Sequence, residues 1–302
     1  MTKPDRLDVH QAVTDQIIAL IEAGTDDVRL PWLRTGMSSI IPRNAATEQA
    51  YNGINILNLW AACELHGYAT SLWGTYRQWQ SLDAQVRKGE KASLVVFYKQ
   101  IDVDPDPDVA DDNGVRHFAR ASWVFNIAQV DGYHAAEPLP PLPPLDRNAR
   151  AEAFIAATGA VIHSGGDRAY YATLFDRIHM PDENLFRAGD ASIRSQDWYA
   201  VLTHELSHWS GAQGRLAREF GKRFGDDAYA MEELVAELSS AFLCAELGLT
   251  PVLRPDHASY IGHWLKVMKG DKRAIFTAAA KASEAARYLK AFADVGAQDV
   301  AA

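Results

Sequence analysis

The chain has 302 residues, of which 48% are hydrophobic and 23% are charged, and its net charge is −9. This length predicts about two domains with a sizeable core. The acidic balance excludes a uniformly basic nucleic-acid-binding protein, although it leaves room for a local basic surface. Cys63 and Cys244 lie outside any C-x-x-C pattern, so neither a disulfide framework nor a thiolate zinc site is expected.

Neither a membrane segment nor a signal peptide is indicated. No hydrophobic run approaches the length that spans a bilayer, and the first residues, "MTKPDRLDVHQAV", lack the apolar stretch of a secretory leader. We therefore expect a cytoplasmic protein with no membrane partner.

The first part of the chain predicts a mixed α/β unit. Apolar periodicity predicts one helix over residues 9–22, a second in "INILNLWAACELHG" that ends at Gly67, and a third that begins at "YRQWQSLDA". Strand-like runs follow at 93–100 and 119–132. The acidic, turn-rich segment between these runs is expected to form the tip of a long hairpin.

A proline-rich segment then marks a domain boundary. Five prolines fall within the seven positions 138–144, and such a run favours an extended polyproline spacer over a helix or an interior strand. We predict a first domain over residues 1–135, a linker over 136–148 and a second domain over 149–302.

The second domain is expected to be mostly helical. A helix is predicted at 150–160, a strand or hairpin at 170–180, and helices at 195–209 and 229–247, followed by a helical C-terminal end. The predicted fold class is therefore α+β with two domains.

The segment "LTHELSHWSG" contains the pattern H-E-x-x-H, formed by His204, Glu205 and His208. Residues four apart on a helix lie on one face, so both imidazoles can bind the same ion. Glu205, one position further along, can then take a proton from water without occupying a coordination position. The alternative interpretation, a surface helix with two solvated histidines, is disfavoured by the acidic helix that follows.

That helix contains "MEELVAEL", with Glu232, Glu233 and Glu237. Two histidines and one carboxylate from a second helix form the ligand set of many catalytic zinc sites. We predict Glu233 as the ligand and Glu237 as the acceptor of a hydrogen bond from a ligand histidine, with the reverse assignment left open. The expected cofactor is one divalent ion, zinc or alternatively manganese.

These residue types predict hydrolysis by an activated water, with Glu205 as the general base. The sequence does not choose the donor that stabilises the developing oxyanion among Tyr229, Tyr260, His257 and His263. The strand predicted before the His204 helix is expected to pair with an extended peptide substrate.

Between residues 29 and 99 the chain is rich in aromatic residues and has a local charge of +4. Rings that stack on bases and cations that contact phosphates are the requirements of single-stranded nucleic acid binding. Trp60, Phe97 and Tyr98 lie in apolar stretches and are expected in the core. The candidates for nucleic-acid binding are Trp73, Tyr76, Arg77, Trp79, Arg87, Lys88 and Lys91.

The two halves together resemble a known family. "PWL", "YNGINILNLW", "SLWGTYRQWQSLDAQVRKGEKASLVVFYK" and "VFNIAQVDG" are similar to the N-terminal domain of ArdC-type antirestriction proteins, which also occurs in TraC primases of conjugative plasmids. "LTHELSHWSGAQGRLARE" followed by "FGDDAYAMEELVAELSSAFLCAELG" resembles the zincin-like metallopeptidase domain paired with it.

The resemblance implies a first domain that binds single-stranded DNA without sequence preference and a second domain with a gluzincin-like fold. It also implies protection of incoming plasmid DNA from host restriction. On the matching positions it implies His204, His208 and an acidic residue of "EELVAE" as ligands, with Glu205 as base. Whether proteolysis takes part in protection, and on which protein, stays open. The alternative is a DNA-binding shield with a structural or vestigial metal site; metal-dependent cleavage of DNA itself is disfavoured, because nucleases prefer carboxylate-rich sites.

Overall fold

The computed structural model describes residues 8–23, 41–102, 115–133, 144–182, 185–186, 191–220, 227–249 and 257–300. Residues 103–114 of the hairpin tip predicted at 101–115 lie outside these ranges, as do residues 136–143 of the predicted linker. The described chain is an α+β protein of two units, as predicted.

Eight α-helices lie in the described ranges, and helix α4 begins at Pro144, inside the predicted linker. Proline suits the first helical position, because the amide hydrogen that it lacks has no acceptor there. The second helix ends at Gly67, whose φ of 68° is the left-handed conformation that glycine adopts without strain. The helices are α1 (Val9–Ala23), α2 (Ile54–His66), α3 (Tyr76–Ser81), α4 (Pro144–Thr158), α5 (Ala191–Ser210), α6 (Asp227–Leu247), α7 (His257–Gly270) and α8 (Ala274–Val300).

The described strands form three sheets. The first has the order β1-β2-β5-β4, the second pairs β3 with β6, and the third has the order β7-β9-β8. The two predicted long strands form the antiparallel pair β4–β5. Residues 127–129 form a 3-10 helix, so the second strand ends at Asn126 and not at 132. The strands are β1 (Arg43–Asn44), β2 (Leu72–Gly74), β3 (Gln85–Val86), β4 (Ser93–Asp102), β5 (Val115–Asn126), β6 (Val130–Asp131), β7 (Val161–Ser164), β8 (Tyr170–Ala172) and β9 (Arg177–Met180).

The small third sheet lies against the helix that carries the H-E-x-x-H pattern. The segment predicted as a strand or hairpin at 170–180 is the antiparallel hairpin β8–β9, and β7 runs parallel to β9. Ile178 and Met180 of β9 are buried in the core, which packs the sheet on α5. In the strand order β7-β9-β8, strand β8 lies at the edge of the sheet within the described part of the chain.

The largest hydrophobic cluster contains residues of both units. Apolar side chains of α1, α2 and β4 join those of α4 to α8 in one core. Within this core the ring of Trp60, on α2, lies 5.8 Å from the ring of Phe242, on α6. Thr14 Oγ1 also donates to the Lys272 carbonyl, 2.8 Å away. The two units therefore share buried contacts and a common hydrophobic core.

Candidate metal centre and nucleic-acid interface

Helices α5 and α6 pack together and bring the predicted ligand residues face to face. His204 and His208 lie one turn apart on α5, and Glu233 faces them from α6. His204 is buried, while His208 and Glu233 border a cavity. The i,i+4 spacing of the histidines has the effect that the sequence predicts, because both rings leave α5 on the same side.

The side-chain atoms converge on one point. Nε2 of His204 lies 3.2 Å from Nε2 of His208, and the Glu233 carboxylate lies 3.5 Å from the first and 3.6 Å from the second. The three donor atoms fall within 4.8 Å of one another. Two donors at about 2.0–2.1 Å from a tetrahedral zinc ion lie about 3.4 Å apart. The donor set therefore fits a single divalent ion such as zinc or manganese.

The opposite nitrogen of His204 faces Glu237. Nδ1 of His204 lies 3.5 Å from Oε2 of Glu237, whose side chain is buried behind the histidine. A carboxylate at this place favours the tautomer with hydrogen on Nδ1, which leaves the Nε2 lone pair for a metal. Glu233 and Glu237 thus occupy different positions, one among the donors and the other behind a histidine.

His208 has a corresponding partner that the sequence analysis missed. Its Nδ1 lies 3.2 Å from Oε1 of Glu232. Glu232 in turn accepts hydrogen bonds from Arg218 at 2.9 and 3.0 Å. The sequence contains a signal for Glu232, because adjacent glutamates lie about 100° apart on a helix and so face different partners. It contains no comparable signal for Arg218, which reaches the site from the loop after α5.

These contacts shift two pKa values. Burial opposes the charged form of His208, but the hydrogen bond to Glu232 and the charges of Glu233, Glu232 and Glu205 outweigh it, so its pKa is raised. Burial likewise favours neutral Glu232, but hydrogen bonds from His208 and Arg218 outweigh this effect and lower its pKa. Glu232 is therefore ionised at neutral pH.

A cavity of about 380 Å³ opens over the donor atoms. Glu205 lines it together with both histidines, so a water between Glu205 and the metal position is sterically accessible. Aromatic rings form most of the remaining wall. They belong to Tyr170, Tyr171, Phe220, Tyr229 and Tyr260.

Two of the four candidate oxyanion donors reach this cavity. Tyr229 and Tyr260 line it, and their hydroxyl oxygens lie 3.2 Å apart. Burial, the Tyr260 hydroxyl and the charge of Glu233 together raise the pKa of Tyr229, which keeps this phenol protonated. His263 lies instead 3.1 Å from Asp227, and the side chain of His257 is outside the described part of the structure.

The hairpin β8–β9 is tied to the end of α5. The hydroxyl of Tyr171 donates to Asp176 at 2.8 Å and accepts from Arg215 at 3.1 Å, while Arg215 also pairs with Asp176. The Arg215 guanidinium lies 3.9 Å from the centre of the Trp209 ring. These contacts hold the edge strand β8 beside the cavity.

The structure corrects two of the predicted nucleic-acid contacts. Trp73 and Trp79 are 0% exposed, and each belongs to a hydrophobic cluster of the N-terminal unit. The indole of Trp79 also donates to the Phe125 carbonyl at 3.0 Å. Neither ring can stack on a base, because both faces are covered by protein. Aromatic composition alone did not distinguish core rings from surface rings.

The other predicted contacts lie at the surface. Tyr76, Arg87 and Lys88 line a shallow groove of about 570 Å³, and Arg77 and Lys91 are exposed nearby in the sequence. Arg87 is paired with Glu90 at 2.9 Å and with Asp131 at 3.4 Å, so part of its charge is already compensated.

The prediction of a core position is right for Trp60 and wrong for Phe97 and Tyr98. Trp60 is buried, but Phe97 is 48% exposed and Tyr98 52% exposed. Trp123, which was not singled out, is 51% exposed. All three lie on the β4–β5 pair, where Phe97 stands directly opposite Arg120. An apolar run does not reveal how much of each face of a strand pair the rest of the chain covers.

Comparison with known families accounts for both units. Residues 7–125 match the N-terminal domain of the anti-restriction factor ArdC, and residues 149–281 match a zincin-like metallopeptidase. Among solved structures, the metal-free ArdC protein of plasmid R388 is 38% identical with a TM-score of 0.77, covering 95% of this chain and 98% of that protein. Its Mn(II)-bound structure is 37% identical with a TM-score of 0.76 and the same coverage.

Relatives are also found among curated sequences. The uncharacterized protein y4eC of Sinorhizobium fredii is 50% identical over 94% of this chain and 92% of its own length. A DNA primase TraC of Escherichia coli is 36% identical over 94% of this chain, which spans only 27% of that primase.

The fold and the site thus define a zincin-like metallopeptidase domain joined to an anti-restriction N-terminal domain. The chain belongs to the ArdC antirestriction family. Among its described residues there is no helix long and apolar enough to cross a membrane.

Proposed function

We propose that this protein hydrolyses peptide bonds with a divalent ion held by His204, His208 and Glu233. The observation that carries the proposal is the convergence of these three side chains within 4.8 Å beneath a cavity that Glu205 also lines. The Mn(II)-bound state of the R388 relative supports metal binding, and manganese as well as zinc is therefore a candidate ion.

The residues divide the chemistry as follows. The ion, when bound, supplies Lewis acidity towards water and the substrate carbonyl. Glu205 takes the proton of the attacking water and can pass it to the leaving amine. Glu237 and Glu232 hold the rings of the two histidines, and β8, an edge strand within the described part of the chain, offers its outer edge to an extended polypeptide. The substrate class is thus an extended segment of a protein.

Metal binding is expected to weaken as the pH falls, because a protonated His208 cannot act as a ligand. Its raised pKa means that protons compete above about pH 6.5, the usual value for histidine. Below the pKa of His208, affinity should fall about tenfold per pH unit. Zinc titrations of the metal-free protein between pH 6 and 8 measure this dependence.

The variant Glu232→Gln sharpens the test. It removes the carboxylate charge that raises the pKa of His208, so the loss of affinity should begin at lower pH than in the wild type. Zinc affinity that does not change between pH 6 and 8 would contradict the assignment of His208 as a ligand.

We further propose that the N-terminal unit binds single-stranded DNA and that the protein protects incoming DNA from restriction. Support comes from the family, from the groove of Tyr76, Arg87 and Lys88, and from the exposed Arg77 and Lys91. A phenol that stacks on a base and cations that contact phosphates bind a strand without reading its sequence. The domain bounds 1–135 and 149–302 are part of this proposal, whereas residues 144–148 of the predicted linker 136–148 belong to helix α4.

Removing Lys88 and Lys91 together should weaken binding of a single-stranded oligonucleotide and flatten its salt dependence. Each lost phosphate contact reduces the slope of log affinity against log salt by about 0.7. Fluorescence anisotropy of the full chain in 50–300 mM salt gives this slope. Lys269→Ala/Lys290→Ala removes the same charge from the C-terminal unit, where both lysines pair with glutamates, and should leave the slope unchanged. Equal effects of the two double variants would count against the groove.

A further inference from the structure

A buried arginine lies one contact away from the predicted metal ligands. The side chains of Arg218 and Glu232 are 3% and 5% exposed, and their ion pair uses both carboxylate oxygens. Arg218 also donates to Ser210 Oγ at 3.0 Å and to the carbonyl of Ser207, both on α5. A buried ion pair with so many hydrogen bonds has little freedom to move, because breaking any of them would leave a buried polar group unsatisfied.

The carboxylate that Arg218 holds is adjacent to a predicted ligand. Glu232 directly precedes Glu233 on α6. With both oxygens engaged by Arg218, Glu232 can still accept a hydrogen bond from Nδ1 of His208, 3.2 Å away. That contact turns Nε2 of His208 towards Nε2 of His204, 3.2 Å from it.

The loop after α5 packs around the side chain of Arg218. The amide of Arg218 donates to the Gly211 carbonyl at 2.9 Å, so the loop folds back on the end of α5. A Cβ at Gly211 would lie 2.7 Å from Nη2 of Arg218 and 2.9 Å from the ring of Phe220. Observed Cβ atoms essentially never come this close to other heavy atoms. Position 211 therefore requires glycine because a side chain would clash there. Its φ is not in the left-handed region, so backbone conformation is not the reason.

We propose that Arg218 is a positioning residue of the metal centre: through Glu232 it fixes His208 in the orientation and tautomer that bind a divalent ion. Gly211 makes room for it. The inference rests on the proposed function, in which His204, His208 and Glu233 hold the ion. It adds that affinity for the ion depends on a side chain that touches neither the metal nor the substrate.

Gly211→Ala tests the proposal without changing any charge. The full-length metal-free protein is titrated with Zn²⁺ against a chromophoric chelator, and the visible spectrum of the Co²⁺-loaded protein reports the coordination geometry. Affinity should fall about 10- to 100-fold, the usual effect of disturbing a residue behind a metal ligand, and the Co²⁺ spectrum should change. The matched control is Gly214→Ala in the same loop, whose Cβ would meet no atom within 4 Å.

Arg218→Lys provides a second variant. It keeps the charge but lacks the fork that holds both oxygens of Glu232, and it should weaken zinc binding in the same direction. If this variant does not fold, as its melting curve would show, Gly211→Ala decides the question alone.

The outcomes separate this inference from the proposed function. Wild-type affinity and an unchanged Co²⁺ spectrum in Gly211→Ala would overturn the role of Arg218. So would a folded Arg218→Lys that binds zinc like the wild type. If instead the wild type and His204→Ala bind zinc equally poorly, the proposed metal site itself fails.

Discussion

Replacing Glu205 with glutamine should abolish most of the proposed peptidase activity while the protein keeps its metal. Glu205 is buried and lines the cavity beside His204 and His208 but is not among the three converging donors. Glutamine has the same shape and can hold a water, but it cannot accept a proton. Removal of a general base lowers the rate about 10²- to 10⁴-fold. Turnover of an unfolded protein substrate, with metal content measured on the same sample, checks both halves of the expectation.

His204→Ala and Glu219→Gln are the controls for this prediction. His204→Ala should lose both activity and metal, because it removes a donor. Glu219→Gln changes a carboxylate of the loop after α5 that does not line the cavity, and should behave like the wild type. Activity in Glu205→Gln within a factor of about two of wild type would remove Glu205 from the role of base.

Glu205→Gln also distinguishes antirestriction that needs hydrolysis from antirestriction by DNA binding alone. Transfer of unmodified DNA into a restricting host is compared between wild type and Glu205→Gln at equal protein levels. Lost protection with intact DNA and metal binding would make hydrolysis part of the defence. Equal protection would show that DNA binding suffices, which is the shield alternative.

Trp60→Ala should destabilise the whole chain by about 3–5 kcal/mol, the usual cost of truncating a buried tryptophan to alanine. Trp60 is buried on α2 of the N-terminal unit and packs against Phe242 on α6, the helix that carries Glu233 and Glu237. Truncation would therefore leave a cavity between the two units. Because the core is continuous, we expect one unfolding transition that moves as a whole.

Urea unfolding followed by both tryptophan fluorescence and circular dichroism measures this change. The matched control is Leu65→Ala on the same helix, where the leucine is 61% exposed and its loss should change the free energy of unfolding by less than about 0.5 kcal/mol. Two separate transitions, only one of them sensitive to Trp60→Ala, would show instead that the units unfold independently.

The fold class and the helices that carry the candidate metal site could be predicted from the amino-acid pattern alone. The H-E-x-x-H spacing is a local property of a helix, so the convergence of His204 and His208 follows from the 3.6-residue period alone. The acidic face of α6 is equally local. The hairpin β8–β9 was also foreseeable, because its alternation of bulky and polar residues is a pattern of neighbours in the chain.

The side chains that face each other across elements could not be predicted in this way, and the folded structure shows them. It separated Glu233 from Glu237 by the nitrogen that each approaches, and it placed Glu232 and Arg218 behind His208. It also buried Trp73 and Trp79 while exposing Phe97 and Tyr98. Burial depends on what packs against an element from distant parts of the chain, and local periodicity carries no information about that partner.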